Sequence, residues 1–256
     1  MLLKEHIRHR KGIYLSIGNT FMGYVVHDCH YLFYCVLQAF GFCGGDAKTI
    51  TISMENGEFC FSADGLIFLN DEFWPIQPMM SSFFVSQTKE KTVVRFQPDP
   101  ELWPDQIYDE LFLVHIMKDY AYMHPQTIVW KGQPIRYKNY GKDMLVNEFG
   151  VSGDIFTVHS DNISIYIEKT DNGGNKVVDY VNYKRTDGGV HAYTLKNAIK
   201  THFPELAKAG YIAVMIVLSP FERNIQYEAS TKRKVGSMPE KYLKQIEKAV
   251  TDLNYA

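Results

Sequence analysis

The chain has 256 residues, of which 46% are hydrophobic and 22% charged, with a formal net charge of −2. That length builds one large or two small cores without disulfide or metal staples. The near-neutral balance excludes a global basic field for nucleic acid, so any DNA contact has to come from a local patch. The opening MLLKEHIRHRKG is charged from residue 4 and is no signal peptide. Residues 21–40, FMGYVVHDCHYLFYCVLQAF, are almost continuously apolar and predict a largely buried helix, stopped by Gly41, Gly44 and Gly45. Residues 48–62 alternate around Asn56-Gly57 and predict a hairpin. Residues 74–84, with Pro75 and Pro78, read as an irregular connection, and residues 92–97 as a strand.

Beyond Pro98 and Pro100 a helix is expected from Pro104 to Tyr122, with Ile107, Leu111 and Val114 facing the core and Pro125 ending it. A small helix near residues 143–149 follows, then strands at 154–168 and 177–183 around the turn TDNGGNK. Residues 191–202 predict a helix, and YIAVMIVL at 211–218 a strand buried on both faces. Pro239 opens an amphipathic helix to Leu253, with Leu243, Ile246 and Val250 on one side. No apolar run reaches the about 18 residues of a membrane span. Cys29, Cys35, Cys43 and Cys60 form no CxxC pair and read as reduced, buried thiols of a cytoplasmic protein. The pattern gives an α+β fold in two domains, 1–97 and 98–256.

Several segments in order resemble the ATPase region of the bacterial type IIA topoisomerase B subunits, gyrase B and topoisomerase IV ParE. IRHRKGIYLS at 7–16 is similar to the family's basic entry motif, with Lys11 where proline is usual. TVVRFQPD at 92–99 resembles the strand leading out of the ATP-binding domain. KRTDGGVHAYTLKNAIK at 184–200 and GYIAVMIVLSPFERNIQYEASTKRKVG at 210–236 are similar to two transducer segments and are the most specific matches. The resemblance implies a truncated GHKL-type α/β sandwich at 1–97, followed at 98–256 by a transducer domain with a left-handed βαβ crossover.

Hydrolysis in that family needs a carboxylate to activate water and an amide side chain to hold Mg²⁺. It also needs an aspartate for the adenine amino group and a glycine-rich lid over the phosphates. Aligning KTITIS with the strand after the nucleotide-site helix puts Phe33 at the glutamate and Leu37 at the asparagine. The segment 31–40 contains no acid, so a register shift of one or two residues does not restore the carboxylate. In the ungapped register Ala63 falls at the adenine aspartate; Asp64, next to Gly65, reaches it with one deletion. The span from Gly65 to Thr92 is too short for the lid and holds no GxxGxG. Lys232, in Ser230-Thr231-Lys232, stands where the family's lysine reports the γ-phosphate. With no lid beside it, a solvated basic loop of Lys232, Arg233 and Lys234 is the favoured reading, and that loop is the local patch through which DNA could be met.

Asp187-Gly188-Gly189 is expected to be a tight turn before a helix, with His191 packed beside it. His27, Cys29 and His30 invite a metal reading, but they lack a second ligand pair and read as core histidines. Asp71-Glu72 and Asp109-Glu110 read as exposed charges. The expectation is a non-catalytic interaction protein linked to DNA topology, with no resident cofactor or metal, whose partner is a second copy or a topoisomerase subunit. The alternatives are the ATP- and Mg²⁺-dependent ATPase portion of a topoisomerase, and a ligand-binding module whose remnants are Lys232, Asp64 and Gly65.

Overall fold

The structure is a computed structural model that describes residues 3–10, 20–21, 24–25, 28–42, 46–67, 69, 74–104, 108–171, 173–218, 224–228 and 234–253. The chain divides into two compact units, Met1–Lys138 and Asn139–Ala256. In the first, helix α1 (Leu3–His9) precedes the short strands β1 (Thr20–Phe21) and β2 (Tyr24–Val25), then helix α2 (Asp28–Phe42). The hairpin β3 (Thr49–Glu55) and β4 (Glu58–Ala63) follows. After a 3-10 turn at Trp74–Met79 come β5 (Met80–Gln87), β6 (Thr92–Pro98), helix α3 (Glu110–Met123), β7 (Thr127–Trp130) and β8 (Gln133–Ile135).

The six strands form one sheet in the order β5-β6-β4-β3-β7-β8. Only β3 and β7 run parallel. Asn56 and Gly57 take positive φ of 50° and 81°, the geometry a two-residue hairpin turn demands, so the expected hairpin is present. Strict alternation sends Ile50 and Ile52, Phe59 and Phe61, and Val94 and Phe96 to one face. That face packs on α2 and α3, and Ile7 of α1 joins the same core. Arg8 holds α1 down by ion pairs to Asp99 and, at 2.7 Å, to Glu101.

Several expectations are corrected in this unit. The helix expected from residue 21 starts at Asp28, because Phe21, Tyr24 and Val25 are strand formers and pair across the two small strands. It also runs through Gly41 to Phe42. The connection expected at 74–84 is a single 3-10 turn and then an eight-residue strand, β5. Helix α3 starts six residues later than Pro104, since the Asp109 carboxylate accepts from the amides of Leu111 and Phe112 and caps it. Leu111 is then 73% exposed rather than core-facing, and Phe112, Leu113, Ile116, Met117 and Tyr120 take the buried face. Ile107 lies outside the described residues.

The expected boundary at 97/98 therefore falls inside the first unit. Helix α3 fills its core, and β7 pairs with β3 from Thr49–Thr127 to Ile52–Trp130. Residues 98–138 are needed to complete this sheet, so the division comes after Lys138.

The second unit begins with helix α4 (Gly141–Phe149). Strands β9 (Phe156–His159), β10 (Ile163–Lys169), β11 (Asn175–Val181) and β12 (Lys184–Thr186) follow. Helices α5 (Val190–His202) and α6 (Pro204–Ala209) lead to β13 (Tyr211–Val217). Strands β14 (Gln226–Tyr227) and β15 (Val235–Ser237) and helix α7 (Glu240–Thr251) close the unit. The sheet order is β12-β11-β13-β10-β9, with β11 and β13 parallel across the α5–α6 crossover. Helices α5 and α7 cover one face over Ile165, Ile167, Ala213 and Met215. On the other, Tyr166 and Val214 meet Gly141 of α4 so closely that a Cβ there would collide with the Tyr166 ring. β13 is thus buried from both sides, which explains its unbroken apolar sequence. In α7, Ile246 and Val250 are buried and Leu243 packs against the same cluster, as the amphipathic pattern predicts. No helix among the described residues is long and apolar enough to cross a membrane.

His124 closes α3 with its ring stacked on Tyr120 at 3.9 Å between centroids. Complete burial pushes its imidazole down to about 3 from the ordinary 6.5. The folded chain therefore excludes a proton that the unfolded chain binds below pH 6.5. This contribution is fully present above that pH and is lost progressively as pH falls toward 3. His124→Phe keeps a stacked ring and removes the titration. Its melting temperature should fall less than that of the wild type between pH 6.5 and 4, measured by circular dichroism in matched buffers. Parallel curves would assign the acid sensitivity to other groups.

Candidate functional site

Two places in the fold concentrate the residues that the sequence singled out, one in each unit. In the first, α2 lays Phe33 and Leu37 on the sheet, and both side chains are fully buried. The Phe33 ring lies 5.1 Å from Phe59 and 5.2 Å from Phe61. Phe59 in turn stacks on Phe96 at 5.3 Å. Tyr108 meets Phe59 edge-on at 5.1 Å, and its burial pushes the phenol above its ordinary range. The side chains of Phe33 and Leu37 offer neither hydrogen-bond donor nor acceptor. Phe33 and Leu37, the residues that the resemblance aligns with the family's carboxylate and amide, do not themselves fit Mg²⁺ or an attacking water.

His30 sits one turn before Phe33 and is also buried. Its Nε2 accepts a hydrogen bond from the Asp109 amide at 3.0 Å, while Phe112 packs edge-on at 5.1 Å. The ring is a strut from α2 to the capped start of α3, in keeping with the core-histidine reading. His27 lies outside the described residues. Among the described residues no group of three His, Cys, Asp or Glu side chains could hold a metal ion. Cys29, Cys35 and Cys60 are in no disulfide, Cys29 buried and the other two half-buried; Cys43 lies outside the described residues.

Asp64 and Gly65 stand at the end of β4. Asp64 Oδ1 accepts from the amides of Lys48 at 2.7 Å and Thr49 at 2.8 Å. Burial tends to raise this carboxyl, but the Thr49 and Lys48 amides outweigh it and hold the group below the usual carboxylate range. Asp46, which the sequence does not single out, accepts from Leu66 at 2.9 Å through Oδ1. A Cβ at Gly65 would strike that same oxygen at 2.6 Å and the Ala47 amide nitrogen at 2.8 Å. Asp46, Asp64 and Gly65 together clamp the start of β3 to the end of β4. Asp109 and Glu110 are exposed, as expected. Asp109 caps α3, and Glu110 pairs with Lys131 at 2.6 Å. Asp71 and Glu72 lie outside the described residues.

The second place is the turn before α5. Gly188 and Gly189 take φ of 88° and 131°, and a Cβ on Gly189 would collide with the Val235 carbonyl oxygen. The Val235 amide donates to the Gly188 carbonyl at 3.1 Å, so the turn is bonded to β15. Beneath it lies a buried polar cluster that the motif does not announce, because Asp179 belongs to β11. Thr186 donates its hydroxyl to Asp179 Oδ2 in a short bond. His191 Nε2 lies 2.8 Å from the same oxygen, and the Gly188 amide donates to it at 3.3 Å. All three side chains are at most 4% exposed. A cavity of about 200 Å³ opens beside this cluster, with Arg185, Asp187 and Lys196 at its wall.

Lys232, with Ser230, Thr231 and Arg233, lies outside the described residues. Lys234 is described, and it pairs with Glu228 at 3.0 Å where the chain returns antiparallel. Of the expected basic loop, this lysine is already matched by an acid.

No family model matches the chain. It is 22% identical over 200 residues to the DNA gyrase B protein of Thermotoga maritima, a match that covers 64% of this chain and 30% of that protein. The chain thus spans less than a third of the length of this relative. Among solved structures, the gyrase B protein from Myxococcus xanthus superposes with a TM-score of 0.67 at 16% identity, covering 98% of this chain and 95% of that one. The ATPase region of Saccharomyces cerevisiae topoisomerase II superposes with a TM-score of 0.65 at 13% identity, covering 97% and 94%. The fold is that of the ATPase region shared by gyrase B and topoisomerase II.

Asp179→Ala would remove the acceptor shared by Thr186, Gly188 and His191, leaving Thr186 with only the residue-179 backbone carbonyl and the His191 ring. Breaking such a buried cluster costs about 3 kcal/mol. Urea unfolding should show a loss of that size, and a loss under about 1 kcal/mol would mean the cluster is replaced by water.

Proposed function

We propose that this chain is a gyrase-B-like module that keeps the shape of an ATPase region and acts by binding protein, in a system that manages DNA topology. The observation that carries this reading is the burial of Phe33 and Leu37 in an aromatic core with Phe59, Phe61 and Phe96. A pocket that binds Mg²⁺ and water has to be wet and polar, whereas these side chains are packed like any protein interior. Asp64 supports the same reading, since its Oδ1 is committed to the amides of Lys48 and Thr49. The partner is a second copy or a topoisomerase subunit. Lys232 and Arg233, with Lys234 shared with Glu228, would supply the local basic patch through which DNA is met.

A second reading has its own support. The likeness extends over nearly the whole chain to ATPase regions of topoisomerases, and a relative by sequence is a gyrase B protein. On that basis the chain would be the ATP-binding portion of a type IIA topoisomerase, with ATP and Mg²⁺ as cofactors. That reading requires a base and a metal ligand other than residues 33 and 37.

Thermal shift and calorimetry with a non-hydrolysable ATP analogue, with and without Mg²⁺, separate the two. Ligand at about 100 times its Kd adds about 2.7 kcal/mol of stability, an easily measured shift. The proposal expects no shift at millimolar analogue. A Mg²⁺-dependent shift would establish the ATPase reading. A Mg²⁺-independent shift lost in Lys232→Ala would indicate a nucleotide sensor that uses Lys232, Asp64 and Gly65. The double variant Phe33→Glu with Leu37→Asn is expected to lose stability by several kcal/mol without gaining hydrolysis, because it buries an unpaired carboxyl.

A further inference from the structure

The two large sheets present four edges, and three of them carry features that discourage pairing with another strand. β8 has three residues and contains Pro134. β12 has three residues and carries Lys184 and Arg185. β9 has four. β5 differs: it has eight residues, MSSFFVSQ, with no charge and no proline. From Ser82 to Gln87 its ladder with β6 is regular. Among the described residues no strand pairs with its outer side. Phe84 is 51% exposed, and Trp74, 49% exposed, meets Phe83 edge-on at 6.3 Å. Phe83 and Val85 are half-buried at the rim of the core.

The geometry points to a second copy of this chain as the occupant of that edge, paired antiparallel through β5 about a two-fold axis at Phe84. The strand's own pattern argues for a copy rather than an unrelated strand. Ser82-Phe83-Phe84-Val85-Ser86 has the same polarity read in either direction. An antiparallel pair centred on Phe84 sets Ser82 opposite Ser86, Phe83 opposite Val85 and Phe84 opposite its own equivalent. Directly opposed residues point to the same face of a sheet. Phe83 and Val85 of each copy would therefore extend the partner's core, and the serines would stay together on the other face. A slip by one residue would set core-facing against outward-facing side chains, so this register is selected. The charges of the following turn, Lys89, Glu90 and Lys91, lie beyond the paired span. A two-fold contact of one patch with itself is the commonest way soluble chains close into dimers. One strand and a few side chains bury less than a standard interface, so association is weak and concentration-dependent.

Sedimentation velocity on the full chain over a concentration series tests this. A reversible dimer is expected, weakened roughly tenfold or more in Phe84→Lys, which sets like charges opposite each other on the axis. The dilute variant should stay folded with a somewhat lower melting temperature, because Phe84 is paired opposite Arg95, whose guanidinium lies 5.5 Å from the centre of its ring. Phe84→Cys is expected to form a disulfide-linked dimer on mild oxidation. Met54→Cys, 38% exposed on the same sheet, should not. Wild type that stays monomeric at every soluble concentration overturns the proposal and leaves the edge to a strand of another protein. A dimer that persists in Phe84→Lys, or that fails to cross-link through Phe84→Cys, overturns it in favour of a different surface.

Discussion

Burial of the apolar side of α2 against β4 and β6 organises the first unit. Phe33 reaches two rings of β4, and these rings pass the contact to Phe96 on β6. Aromatic pairs at such separations each add about 0.5–1.5 kcal/mol beyond the area they bury. One turn earlier, His30 ties the same helix to the capped start of α3. Sheet, α2 and α3 are thus fixed to one another by a few side chains.

The second unit is organised by a polar group instead. One carboxylate oxygen of Asp179 gathers a hydroxyl, an imidazole and a backbone amide from the turn before α5. The turn then holds β15 by the bond from Val235 and by the absence of a side chain on Gly189. The path from β11 through the turn to the hairpin of β14 and β15 is short and made of buried, directional contacts. The glycines of the DGG motif have a steric reason to be there, and none of these contacts calls for a ligand.

Elements with strong local codes are legible in the sequence. The Asn56-Gly57 hairpin, β13, α5 and α7 each have a turn residue or a periodicity that leaves little choice. β5 is not legible, because its three serines and the nearby Pro75 and Pro78 mask a strand whose partner, β6, is the real reason it forms. The start of α2 is ambiguous, because an apolar run has the same composition in a buried helix and in the small strands before it. Periodicity puts Leu111 on the wrong side, because the Asp109 cap sets the phase of α3 and moves the buried face to Phe112 and Leu113. In the candidate sites, the burial of Phe33 and Leu37 follows from the apolar run that forms α2. The structural work of Asp64 and the cluster around Asp179 depends on partners 15 and 12 residues away that no local pattern connects.

The parallel pairing of β3 with β7 joins Thr49 to Thr127 across most of the first unit. During synthesis the hairpin of β3 and β4 can close early, but β3 keeps an unpaired edge until β7 has left the ribosome. Helix α3 must also arrive before the aromatic face of the sheet is covered. Any nascent chain paused between these points exposes Phe59, Phe61 and Phe96 together with a bare strand, the combination most prone to aggregate. Non-local pairings of this kind slow folding, since the loop must close before the contacts repay it. The feature that completes the sheet therefore also sets the interval during which the growing chain is exposed to aggregation.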